Sequence, residues 1–110
     1  MNLEVTSSFQ KRPAYRYIRK TDKLPARCAD DAVAKVKLFN PTGAGTWFLA
    51  SYDPETGIAF GVADLGYGGE MGDIYLPELV EYRGRFGLPI ERDLHWTPKP
   101  LAEVVGGGAS

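Results

Sequence analysis

The stretch TWFLASYDPETGIAFGVAD, residues 46–64, decides the fold. It opens on a segment that is apolar on both faces, with Trp47 and Leu49 on one and Phe48, Ala50 and Tyr52 on the other. A strand without a polar face belongs in the middle of a sheet. Asp53–Gly57 then supplies turn chemistry: Pro54 presets φ for a type I turn, and Gly57 can take the left-handed conformation that ends it. Beyond the turn, large residues alternate with small ones: Ile58, Phe60 and Val62 against Ala59, Gly61 and Ala63. The large set is expected to pack the core, and the small set to admit close approach by other parts of the chain.

Working upstream, AVAKVKLFN (32–40) places Ala34, Val36 and Leu38 on one face and Lys35 and Lys37 on the other, the pattern of a half-buried strand. Residues 33–63 therefore read as a three-stranded antiparallel meander. Downstream, LGYGGEMG (65–72) reads as a glycine-rich loop and DIYL (73–76) as a short fourth strand. Pro77 suits the first position of a helix, where its missing N–H costs nothing. Glu78 and Glu81 suit the helix dipole, and Glu81 can pair with Arg85 one turn on. Leu76, Leu79, Val80, Arg83 and Phe86 recur at helical spacing before Gly87, so the pattern predicts a helix over 77–86. IERDLHW (90–96) alternates as a last strand, with Ile90, Arg92, Leu94 and Trp96 facing inward. That makes Arg92 a partly buried cation in need of a carboxylate.

The fold class that follows is α+β: an antiparallel sheet, the meander plus one or two further strands, with one short helix packed on a face. Its contacts are expected to centre on Val36, Leu38, Trp47, Leu49, Phe60, Val62, Leu79 and Trp96. With 110 residues the chain is long enough for one core. Residues 1–31 read as a basic, partly ordered arm, 32–105 as the single domain and 106–110 as a flexible tail. Cys28 is the single cysteine, so no intrachain disulfide can form, and no apolar run approaches membrane-spanning length. The expected compartment is the cytoplasm.

Nucleotide chemistry is tested by the two glycine segments. A P-loop needs G-x-x-x-x-G-K-[ST] between a strand and a helix. Gly43 and Gly45 in NPTGAGTWF stand two apart, no lysine follows, and the next element is a strand. A dinucleotide fingerprint starting at Gly66 fails at Met71. With one Cys and one His, four Cys or His ligands for a structural zinc are not available in one chain. On an extended strand His95 would share a face with Asp93 and Glu91, at spacings of roughly 6.5–7 Å that are long for one ion. Ser51 lies in a strand, and Cys28 has acids beside it that disfavour a thiolate. No catalytic residue, no metal, no cofactor and no nucleotide is expected, and the chain reads as no enzyme.

In this order, KLFNP, GTWFLASYDPETGIAFGVADLG, ELVEYRG and GLPIERDLHW resemble a family of short bacterial proteins known only as a domain of unknown function. YDPE…GIAFG and GLPIERDL carry the resemblance best, and it spans about residues 35–98. Proteins of this family are common on plasmids, prophages and integrative elements, sometimes near anti-restriction genes. The resemblance implies a mobile-element protein and transfers no catalytic residue. The basic segment 10–27 departs from what it leads one to expect.

Charge distribution leaves two functional readings. Formal net charge is −1, yet residues 38–82 hold seven acids and no Lys or Arg, whereas residues 10–27 hold seven cations and one acid. Such asymmetry steers partners. In the first reading, Asp53, Glu55, Asp64, Tyr67, Glu70 and Asp73 contact a protein partner, and the 66–72 loop adapts to it. That partner would be a host defence complex, with the chain an anti-CRISPR or anti-restriction inhibitor on its nucleic-acid-binding surface. In the alternative, Lys11, Arg12, Arg16, Arg19 and Lys20, interleaved with Tyr15 and Tyr17, bind nucleic acid. No membrane partner is expected.

Overall fold

The computed structural model describes residues 17–27 and 32–105. Among these residues seven strands and one α-helix follow in order: β1 (Val33–Ala34), β2 (Val36–Phe39), β3 (Thr46–Asp53), β4 (Ile58–Asp64), β5 (Gly69–Tyr75), α1 (Leu76–Glu81), β6 (Glu91–Arg92) and β7 (Lys99–Pro100). Five strands form one antiparallel sheet in the order β5-β4-β3-β2-β6, with β3 in the middle as its apolar faces predict. A separate β1–β7 pair joins Val33 to Pro100 and Ala34 to Lys99. The fold is α+β.

Both faces of the sheet are covered. One face packs Val36, Leu38, Leu49, Tyr52, Ala59 and Ile74 beneath Tyr17, Ile18, Leu76, Val80 and Ile90, with Trp47 and Leu79 partly buried against them. The other packs Phe48 and Val62 with Ala34, Ala50, Leu101 and Val104, and here Phe60 and Trp96 are the partly buried neighbours. The eight expected core residues are thus divided between two clusters rather than gathered in one. Trp96 stands 5.1 Å from Phe48, ring centre to ring centre, and donates its indole N–H to the Ala34 carbonyl at 2.9 Å. The ammonium groups of Lys37 and Lys99 lie 5.6 and 5.3 Å from its ring.

A bulge in β3 changes the expected faces. Leu49 pairs with Gly61 and Ser51 with Phe60, leaving Ala50 as the extra residue. From that point the side chains reverse, so Tyr52 joins Trp47 and Leu49 rather than Phe48 and Ala50. The bulge brings β3 backbone over Gly61, where a Cβ would collide with the Phe48 carbonyl. The small face of β4 admits close approach at that residue, as its composition predicts.

Three expectations fail at element ends. The predicted 65–72 loop is shorter: β5 begins at Gly69 and runs in unbroken register with β4 as far as Tyr75. The helix stops at Glu81, with Tyr82 extended at φ −64°, ψ 139°, so the Glu81–Arg85 pair on one helix does not form. The Arg83 guanidinium donates to the Val80 and Tyr82 carbonyls at 3.1 and 2.6 Å, satisfying groups that a longer helix would have used. The last strand holds only Glu91 and Arg92. Leu94 and His95 form a turn in which Leu94 is 69% exposed, and that turn carries Trp96 to the opposite face from Ile90.

The described part of the arm belongs to the core. Tyr17 and Ile18 are 1% and 0% exposed, and burying two such side chains is worth roughly 1.5–3 kcal/mol each. Tyr17 donates its hydroxyl to the Ile90 carbonyl at 2.7 Å. Arg92 finds its carboxylate here: it grips Asp22 with two parallel bonds of 2.7 and 2.8 Å, and also donates to the Tyr17 carbonyl at 2.9 Å. Further along, the Tyr52 N–H donates to the Pro25 carbonyl, which covers the edge of β3 past the end of β2.

Burial pushes the Asp22 carboxyl up, but the Arg92 hydrogen bond, the Arg19 backbone N–H and the charges of both arginines outweigh it, leaving its pKa lowered. A depressed folded-state pKa stabilises the protein above the ordinary value of 3.8. That contribution fades as pH falls from there through the lowered value. Urea melts from pH 6 to pH 2 should show this loss in the wild type and a flatter acid limb in Asp22→Asn. Equal acid limbs would show that Asp22 carries no part of the pH dependence.

Candidate partner-binding surface

The residues expected to meet a partner are spread along the β4–β5 ladder from one end to the other. Asp53 and Glu55 sit at the β3–β4 turn, beside the Ile58–Tyr75 pair, whereas Asp64 and Tyr67 sit at the end marked by Asp64–Gly69. Six steps at about 3.3 Å per residue separate the two ends by roughly 20 Å. Asp73 lies between them. It shares one groove with Asp53, Ser51, Phe60 and Arg27, and a second with Tyr67, Glu70, Gly72 and Ile74.

Two of these carboxylates hold turns. Asp53 Oδ1 accepts the Glu55 N–H at 2.9 Å, and the Asp53 carbonyl accepts the Gly57 N–H at 2.8 Å. Asp64 Oδ1 accepts the N–H groups of Gly66 and Gly68 at 2.8 and 3.3 Å, shaping the β4–β5 loop. Glu70 and Asp73 are exposed on β5. By register Glu70 lies opposite Ala63, on the Leu49 face, and Asp73 opposite Phe60, on the Phe48 face. The two carboxylates therefore flank β5 from both sides.

Among the described residues the ion pairs are Lys37–Asp93 and Arg92–Asp22, and neither takes an acid from 53–81. Exposed apolar side chains accompany these acids: Tyr67 is 94% exposed, Leu65 54%, and Met71 and Tyr75 49% each.

The other candidates are placed as follows. Ser51 is buried in β3, while His95 is exposed and donates its backbone N–H to Asp93 Oδ1 at 2.8 Å. Asp93 forms an ion pair with Lys37 at 3.6 Å, and because the strand ends at Arg92 the expected row of Glu91, Asp93 and His95 on one extended face does not form. Among the described residues no three His, Cys, Asp or Glu side chains group as metal ligands. The NPTGAG turn anchors the chain beyond the helix. Thr42 Oγ1 accepts the Arg85 N–H at 3.2 Å, and Asn40 donates to the Tyr82 hydroxyl at 3.3 Å.

Of the alternative nucleic-acid set, Lys11, Arg12 and Arg16 lie outside the described residues, as do Tyr15 and Cys28. Arg19 is exposed and Lys20 opens a 3₁₀ turn ending at Asp22. Tyr17, one of the two expected stacking rings, is buried in the core. Sequence reasoning missed this anchor because cations surround it; the adjacent Tyr17 and Ile18, with Leu24 following, were the available signal.

Fold and surface together define a small α+β domain whose sheet ends in an exposed strand flanked by acids. The chain belongs to the family described as protein of unknown function (DUF2958), which it matches over residues 10–105. The matched range takes in the basic segment 10–27 as well as the sheet. No curated protein and no solved structure matches the chain. No helix among the described residues is long and apolar enough to cross a membrane.

Proposed function

We propose that this chain is a non-enzymatic protein-binding module of a mobile genetic element, working in the cytoplasm. In this reading it inhibits a host defence complex, of anti-CRISPR or anti-restriction type, by occupying a surface that otherwise grips nucleic acid. The observation that carries the reading is the 38–82 segment, with seven acids and no Lys or Arg. Its Glu70 and Asp73 stand exposed beside Met71, Tyr67 and Tyr75. Carboxylates of this kind speed encounter with a cationic groove, and exposed aromatic side chains supply contact energy near its centre. The resemblance to mobile-element proteins supports the choice of partner.

Competition tests the reading. Tagged protein incubated in host lysate should retain a nucleic-acid-binding complex, and added DNA or RNA should displace that complex in proportion to its concentration. Retention of a partner that nucleic acid leaves in place, or direct salt-sensitive binding of nucleic acid by the isolated chain, would overturn it.

A further inference from the structure

β5 is a complete edge strand. It pairs with β4 over seven residues without a bulge, and no described strand lies on its other side. The Leu76 N–H donates to the Gly57 carbonyl at 2.9 Å, one step beyond the Tyr75–Ile58 pair and in the same register. Antiparallel ladders alternate bonded and non-bonded pairs. The backbone groups of Glu70, Gly72 and Ile74 therefore turn inward to β4, and those of Gly69, Met71, Asp73 and Tyr75 turn outward. Natural edges are commonly blunted by Lys, Pro or a bulge. β5 has no Lys, no Pro and no bulge.

We propose that the outward edge of β5 receives an extended, cationic segment of the protein partner as a sixth strand of the sheet. This rests on the reading above only in taking the partner to be a protein. Strand addition draws affinity from main-chain bonds and specificity from alternate side chains. Glu70 and Asp73, three residues apart, lie on opposite faces of the edge and call for cations three residues apart on the incoming strand. Between them the missing side chain of Gly72 faces open space, beside a groove of about 250 Å³ that takes an apolar side chain from the same strand. A second copy of β5 is the wrong occupant, because it would bring two further carboxylates against the first two.

The probe is a blocked eight-residue peptide: two threonines at each end enclosing lysine, leucine, valine and lysine. Run antiparallel, its lysines oppose Asp73 and Glu70 and its leucine opposes Gly72. In the free protein, hydrogen exchange at the Met71, Asp73 and Tyr75 amides should be fast, and at Gly72 and Ile74 slow. Millimolar peptide should slow the first set, whereas a peptide with glutamates for lysines should not. Met71→Pro removes one outward N–H without touching the β4 ladder or the charge, and should weaken peptide binding at least tenfold while the melting temperature holds.

Absence of peptide binding, binding that survives Met71→Pro, or protection of those amides in the free protein would overturn the inference. The last would arise if residues 1–16 or a second copy already occupied the edge. None of these results touches the proposed function, which fails instead on the nucleic-acid competition.

Discussion

Gly61→Ala will lower the melting temperature by about 15 °C or more, the largest effect expected of any single methyl group in this protein. The added Cβ would collide with the Phe48 carbonyl and lie 3.1 Å from the Leu49 Cα. Both are backbone of the central strand, so no side chain can rotate away. Relief requires undoing the bulge at Ala50, and that would send Tyr52 to the wrong face. Overpacking costs typically 1–3 kcal/mol and more where backbone must move, so about 3 kcal/mol or more is expected. At roughly 4–8 °C per kcal/mol for a domain of this size, that sets the shift. The cross-strand neighbour supplies the control. A Cβ at Gly72 meets nothing within 4 Å, and Gly72→Ala should change stability by less than about 1 kcal/mol. Similar melting temperatures for the two variants would contradict the bulge.

Arg92→Met should cost about 3 kcal/mol and free the 17–22 segment. The Arg92 and Asp22 side chains are only 15% and 11% exposed, and their contact is bidentate. Removing one member of such a pair strands the other's charge away from water, a loss of roughly 3–5 kcal/mol in buried pairs. The Tyr17 carbonyl loses its partner as well. Removing both charges, in Asp22→Leu with Arg92→Met, should recover much of the loss, since apolar replacement of a buried pair is often close to neutral. Urea melts of both singles and the double would read this. A coupling below about 0.5 kcal/mol, typical of exposed pairs, would make the bridge a surface ornament.

The central part of the fold was legible because its chemistry is local. The TWFLASY run is apolar on both faces, DPETG carries its own turn, and IAFGVAD alternates, so each names its strand unaided. The bulge was invisible for the same reason: where both faces are apolar, a one-residue slip leaves no polar residue on the wrong side to reveal it. Helical spacing continued through Phe86, but Arg83 satisfies carbonyls at the helix end, and Thr42 and Asn40 hold the chain after it. Those partners are some forty residues distant and leave no periodic trace. The need of Arg92 for a carboxylate was readable; that Asp22 in the basic segment meets it was not. The acids were all visible, but only the register shows that Glu70 and Asp73 flank one open edge while Asp53 and Asp64 hold turns.

Binding of a protein by the acidic β4–β5 surface can be read by quantitative capture of the partner from host lysate with the wild type and with a triple variant. The variant is Asp64→Asn, Glu70→Lys and Asp73→Lys, in which the asparagine keeps the acceptor that holds Gly66 and Gly68. Its melting temperature should match the wild type within a few degrees, and its capture of the partner should fall at least tenfold. Undiminished capture by the triple variant, together with loss of capture on deleting residues 1–16, would contradict binding by that surface and move the function to the basic segment. The deletion stops there because Tyr17 and Ile18 are part of the core.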